Sequence, residues 1–285
     1  MATRFPSRLS LSGALFAVAA LVAVVAALAL VSRPAGAADA AAVTAAKVAL
    51  QAAVNAGEPG EMLAARARFA TLSAAEPKDA SFHYWVALAS WRAVPMLMND
   101  KAKVEQARKV CKDAIERCDK ALAAAPKHAD AMALKAGLQG LWLSFEPGEM
   151  MSLGMQMGQM IERAHELEPA NPRVLLLDGI NTLHKPAFVG GGADKALVKF
   201  DEATALFGKQ AAAVTAAATS GDPAALGWGR DDALLWAGRA AAKDNKFADA
   251  RQYYQRALIA NPDNAWVKNV LLPQVEKQLA EKGAS

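Results

Sequence analysis

The sequence predicts an all-α protein, a solenoid of antiparallel helix pairs with irregular insertions and a C-terminal capping helix. Two observations carry that expectation. Small and apolar residues recur at three-and-four spacing along residues 38–280, as they do in helices that bury one stripe. Turn and helix-closing residues then punctuate the pattern, with closures at Pro77, Pro126, Pro169, Gly208 and Pro262. A single helix pair cannot bury both of its stripes, so neighbouring pairs must stack.

Residues 1–37 read as an export segment rather than part of the fold. Arg4 and Arg8 supply a positive start, Ala14 to Val31 is free of charge, and Ala35-Gly36-Ala37 offers the small residues of a cleavage site. The same run is long enough to span a bilayer, so an uncleaved anchor facing the periplasm is the alternative. Either reading places residues 38–285 outside the cytoplasm, and the alanine-rich composition suits a periplasm or cell envelope. Three positive charges of the formal +4 belong to Arg4, Arg8 and Arg33, which leaves the remainder near neutral. That balance argues against a nucleic-acid partner, which requires a basic surface.

The helical units follow in order. Ala38 to Asn55 and Glu61 to Ala75 form the first pair around Gly57-Glu58-Pro59-Gly60. The second opens with Tyr84, Trp85, Leu88 and Trp91, is expected to break near Pro95, and continues from Val104 to Ala125. Glu105–Lys109, Asp113–Arg117 and Glu116–Lys120 place acid four residues before base, which marks a solvated helix face. Cys111 and Cys118 lie seven apart on that helix, about 10 Å along its axis, too far to bridge. They read as buried, reduced cysteines facing the next hairpin.

The third unit spans Ala129 to Pro169, and the fourth opens at Pro172. Within the fourth, an extended turn from His184 to Gly192 separates the two helices. Gly208 to Gly229 reads as a linker, and Asp263 to Ala280 as a capping helix interrupted at Pro273.

The fifth unit is the clearest. Leu234, Leu235, Ala237, Gly238 and Ala241 form one stripe, and Phe247, Ala250, Tyr254, Ala257 and Leu258 another, joined by Lys243-Asp244-Asn245-Lys246. Gly238, Ala250 and Ala257 let the helices approach, and Tyr254 fills the space between them. With Pro262 these residues resemble the signature of the tetratricopeptide repeat (TPR). The closing positions elsewhere are 39 to 54 residues apart, wider than the family's ~34-residue period. The loop His184–Gly192, Lys195-Ala196-Leu197 and Trp228-Gly229 together resemble a group of exported bacterial TPR proteins, which implies location and fold.

In TPR stacks the first helix of each pair lines a concave groove. The resemblance therefore implies Tyr84, Trp91, Arg92, Arg173, His184, Arg239 and Lys243 as partner-binding residues, an aromatic and cationic mix that protein interfaces favour. A second specialised surface is the loop carrying Pro186, Phe188, Gly190, Gly191 and Gly192. Its glycines precede a helix, but the lysine spacing is not that of a phosphate-binding loop, and Asp194 would repel phosphate. A tight loop-to-helix turn is the expected role.

Met150, Met151, Met155, Met157 and Met160 could hold Cu(I) as soft thioethers. Met157 and Met160 also follow a core stripe with Leu153, Ile161 and Ala164, while Gly154 and Gly158 suggest a close helix contact. His83, His128, His165 and His184 form no HExxH or comparable pattern, and no GxSxG or cysteine–histidine signature occurs. The sequence thus implies a non-enzymatic, cofactor-free binding protein. A protein or peptide adaptor is the first expectation. A small-ligand accessory protein of a solute uptake system and a periplasmic copper binder are the alternatives.

Overall fold

Good helix formers bounded by Asx caps and prolines give this chain its elements. The computed structural model describes residues 40–217 and 227–283. The expected export segment, residues 1–37, lies outside them. Among the described residues there are eleven α-helices in sequential antiparallel pairs: α1 (Ala40–Ala56) with α2 (Pro59–Ala75), α3 (Ala80–Met98) with α4 (Val104–Ala124), α5 (Ala129–Trp142) with α6 (Met150–Leu167), α7 (Pro172–His184) with α8 (Ala193–Ala217), and α9 (Arg230–Lys243) with α10 (Phe247–Ala260). The cap, α11 (Leu272–Gly283), packs on α10. None of these helices is long and apolar enough to cross a membrane.

Starts are set locally. Pro59 and Pro172 occupy first-turn positions, where the missing N–H is harmless. The Asp79 side chain accepts from the Ser81 amide, and that of Asn171 from the amides of Arg173 and Val174. Small residues then set the spacing between helices. An added Cβ on Gly238 would lie 2.4 Å from Tyr254 Cε1, and one on Gly179 2.5 Å from Phe200 Cε1, so both aromatic rings press directly on bare backbone. Cys111 and Cys118 are buried as free thiols, with the Cys111 thiol 3.5 Å from the Leu138 carbonyl on α5.

Four local expectations change. Helix α3 does not break at Pro95 but runs through it to Met98, because the lost hydrogen bond falls in its last turn. Gly208 does not close α8. An alanine-rich stretch carries the helix on to Ala217, since an isolated glycine costs only about 1 kcal/mol. The interruption near Pro273 is a π-helical segment over Val267–Leu271, in which the Leu272 N–H donates to the Val267 carbonyl, and the helix then continues through Pro273. Gly154 and Gly158 make no close helix contact, because they face outward with nothing within 4 Å of an added Cβ.

The stack winds tightly enough that its last pair returns to its first two. Asn261 donates to the Asn55 side chain at 2.9 Å, joining the end of α10 to α1. Arg92 on α3 pairs with Asp232 on α9. Trp228, just ahead of α9, donates its indole N–H to the Tyr84 hydroxyl at 2.8 Å.

Candidate functional site

The inner helices α3, α7 and α9 carry the residues expected to line an open groove, and the structure divides them into two groups. The first surrounds Trp228, which is 7% exposed. Trp91 lies 6.0 Å from it between ring centroids, and Arg92 sits over both rings. Arg92 reaches Asp232 through two N–H donors, a bidentate charge-assisted pair. Arg173 donates from Nε to the Trp228 carbonyl at 3.2 Å and pairs with Asp130. Burial, then the nearby Asp130 carboxylate, raises the Tyr84 hydroxyl well above its usual pKa, so it stays protonated beneath the indole.

Tyr84, Trp91, Arg92 and Arg173 are therefore committed to internal partners. The space left between α1, α3 and Trp228 is a cavity of about 30 Å³ lined by Lys47, Leu50, Trp85 and Leu88. That is room for a water molecule, not for a peptide. A larger cleft of about 400 Å³ opens between His128, Asp130, Glu168, Asn171, Arg173 and Gln210. The Asn171 amide bridges the two carboxylates there, Asp130 and Glu168.

The second group forms where α7 and α9 end. The His184 ring meets Trp236 edge-on at 5.9 Å, and Phe200 stacks on Trp236 at 6.5 Å. The Arg239 guanidinium lies 4.1 Å from the Trp236 ring centre and 5.2 Å from that of Trp266. Lys243 donates to the Leu183 carbonyl at 2.7 Å. Although part of its ring faces water, His184 has its pKa lowered to about 4, first by desolvation and then by the positive Arg239 and Lys243. It is a neutral imidazole at physiological pH. Desolvation also lowers the Arg239 pKa from its usual value.

The adjoining loop is held tightly. Gly191 and Gly192 donate to the Pro186 and Thr182 carbonyls, and Gly190 and Gly192 take φ of 90° and 140°. A Cβ at Gly191 would strike the Lys185 carbonyl oxygen. Those two glycine amides are occupied within the turn rather than offered to an anion. The turn leaves Phe188 90% exposed. The Met-rich helix α6 is divided: Met157 and Met160 pack toward the core, whereas Met150, Met151 and Met155 are exposed.

The other three histidines have structural partners. His83 bonds Ser73 and the Pro77 carbonyl, His165 bonds Asp178, and His128 caps α5. Among the described residues no group of three His, Cys, Asp or Glu side chains is arranged to hold a metal. Trp236 and Trp266 escape the repeat positions altogether. The signal for Trp236 was its place three residues before Arg239 on one helix face.

The chain is similar to HusA. That protein is a haemophore from Porphyromonas gingivalis, 26% identical, with a TM-score of 0.55. The match covers 72% of this chain and 94% of HusA. No protein-family model and no curated protein matches the sequence.

Proposed function

We propose that this chain is an exported, non-enzymatic carrier of a small flat ligand of the haem class. The observation that carries the reading is the likeness to a haemophore over nearly the whole of that protein, at 26% identity. The filled groove favours a small-ligand carrier over an adaptor for an extended peptide, because Trp228 and its partners occupy the space a peptide would need. The ligand surface in this reading is the partly open aromatic cluster of Trp236 and Trp266, with Phe188 on the adjoining loop. The ring surface that Arg239 and Phe200 leave uncovered suits a planar ligand through offset or edge-to-face contact. His184, neutral and beside Trp236, suits the same ligand, since a neutral imidazole can approach a metal centre without charge repulsion.

The test is titration of the purified residues 38–285 with haemin, followed by absorbance near the Soret band and by tryptophan fluorescence. A saturable spectral change that weakens in Trp236→Ala is expected. Haemin that gives no saturable change, or the same change with Trp236→Ala, removes support for the reading.

A further inference from the structure

Five described arginines are half-buried, and four of them have carboxylate partners. Arg66 and Arg117 pair with Asp113, Arg92 with Asp232, and Arg173 with Asp130. Arg239 differs. Among the described residues it has neither an ion pair nor a hydrogen bond, and its only charge-facing contacts are the indole rings of Trp236 and Trp266. Withdrawing a guanidinium from water without an anion is unfavourable, and the cation–π contacts offset only part of that. They also engage the faces of the planar group and leave its edge of N–H donors unused. That edge is the part that matches a carboxylate in a bidentate pair. Lys243, on the same side of α9 one turn later, uses one donor on the Leu183 carbonyl and keeps two. His184 adds no competing charge between them.

We infer that Arg239, with Lys243 behind it, is the anion receptor of this protein and takes a carboxylate of a flat aromatic ligand lying against Trp236 and Trp266. The inference builds on the small-ligand reading and names the chemistry that reading leaves open. It requires an acidic ligand, not merely a flat one. It also accounts for the solitary charge: the ion pair that the other four arginines make internally is completed here by the ligand.

Two probe pairs test it on the wild type and on Arg239→Met: haemin against haemin dimethyl ester, and 1-pyrenebutyrate against its methyl ester. Each is titrated by tryptophan quenching, and thermal unfolding of both proteins is measured without ligand. Loss of a charge-assisted pair is expected to weaken the acid about tenfold or more in Arg239→Met while leaving the ester unchanged. The unfolding temperature is expected to be unchanged or higher, because an unpaired desolvated charge has been removed. Haemin that binds equally to both proteins overturns the receptor and leaves the haem reading standing. Pyrenebutyrate that binds through Arg239, with no binding of haemin, supports the receptor and overturns haem as its ligand. Failure of both acids to bind the wild type overturns both ideas. A variant that unfolds several degrees lower with undiminished acid binding assigns Arg239 to structure alone.

Discussion

Replacing Arg92 with Met tests whether the ends of this superhelix are held by charge. The side chains of Arg92 and Asp232 are 13% and 7% exposed, and they join α3 to α9 across 140 residues of chain. Removing one partner of such a pair leaves an uncompensated buried charge and costs about 3–5 kcal/mol. The loss falls at the upper end here, because Asp232 adjoins Asp231, whose own pKa is raised by burial and then by Asp232. Without Arg92 the buried Asp232 is left beside the half-buried Asp231. For a chain of this size the unfolding temperature should fall by about 6 °C or more. Urea unfolding followed by tryptophan fluorescence reads the change directly, since Trp91 and Trp228 flank the pair. Arg92→Met with Asp232→Leu should recover stability to within about 1 kcal/mol of wild type, as apolar substitutes for buried pairs often do. A loss below about 1 kcal/mol for Arg92→Met alone would refute the reasoning. The closure would then rest on Trp228 and Asn261, with the ion pair an accessory.

Two further outcomes follow from burial. Gly238→Ala should lower stability by about 1–3 kcal/mol, only partly offset by helix propensity, because the fully buried Tyr254 ring cannot retreat from a new methyl group; urea unfolding at unchanged stability would contradict that packing. Burial pushes the Cys111 thiol from 9.0 up to about 12 and the Cys118 thiol higher still. The native state therefore holds protons that the unfolded chain releases, so stability should fall as pH rises above about 9. At pH 8 neither thiol should react with a disulfide reagent until denaturant is added, and rapid labelling of the native protein would contradict their burial.

The fold was legible because its signals are local. Three-and-four periodicity, proline at helix starts and asparagine at caps act within a turn or two, and they place the helix pairs whatever the neighbours do. Gly238 and Tyr254 specified their own contact in the same way, since both lie within one hairpin. Errors came where a local rule met a longer helix. Pro95 and Gly208 look like stops, but each interrupts a single hydrogen bond or adds about 1 kcal/mol, less than the packing around it returns.

The groove was a different matter. Repeat register identified Tyr84, Trp91, Arg92, Arg173, His184, Arg239 and Lys243 as inner-face residues. It carried no information on how tightly the superhelix winds. That winding brings Asp232 to Arg92 and Trp228 to Tyr84, turning half of an aromatic and cationic surface into interior. It also leaves Arg239 against Trp236 and Trp266 with no carboxylate partner among the described residues. Sequence by itself determined the helices, their pairing and their inner faces, because those depend on spacing along the chain. Only the tertiary structure decided which inner-face charges are already paired and which one still lacks a partner, because pairing depends on residues up to 140 positions apart meeting in space.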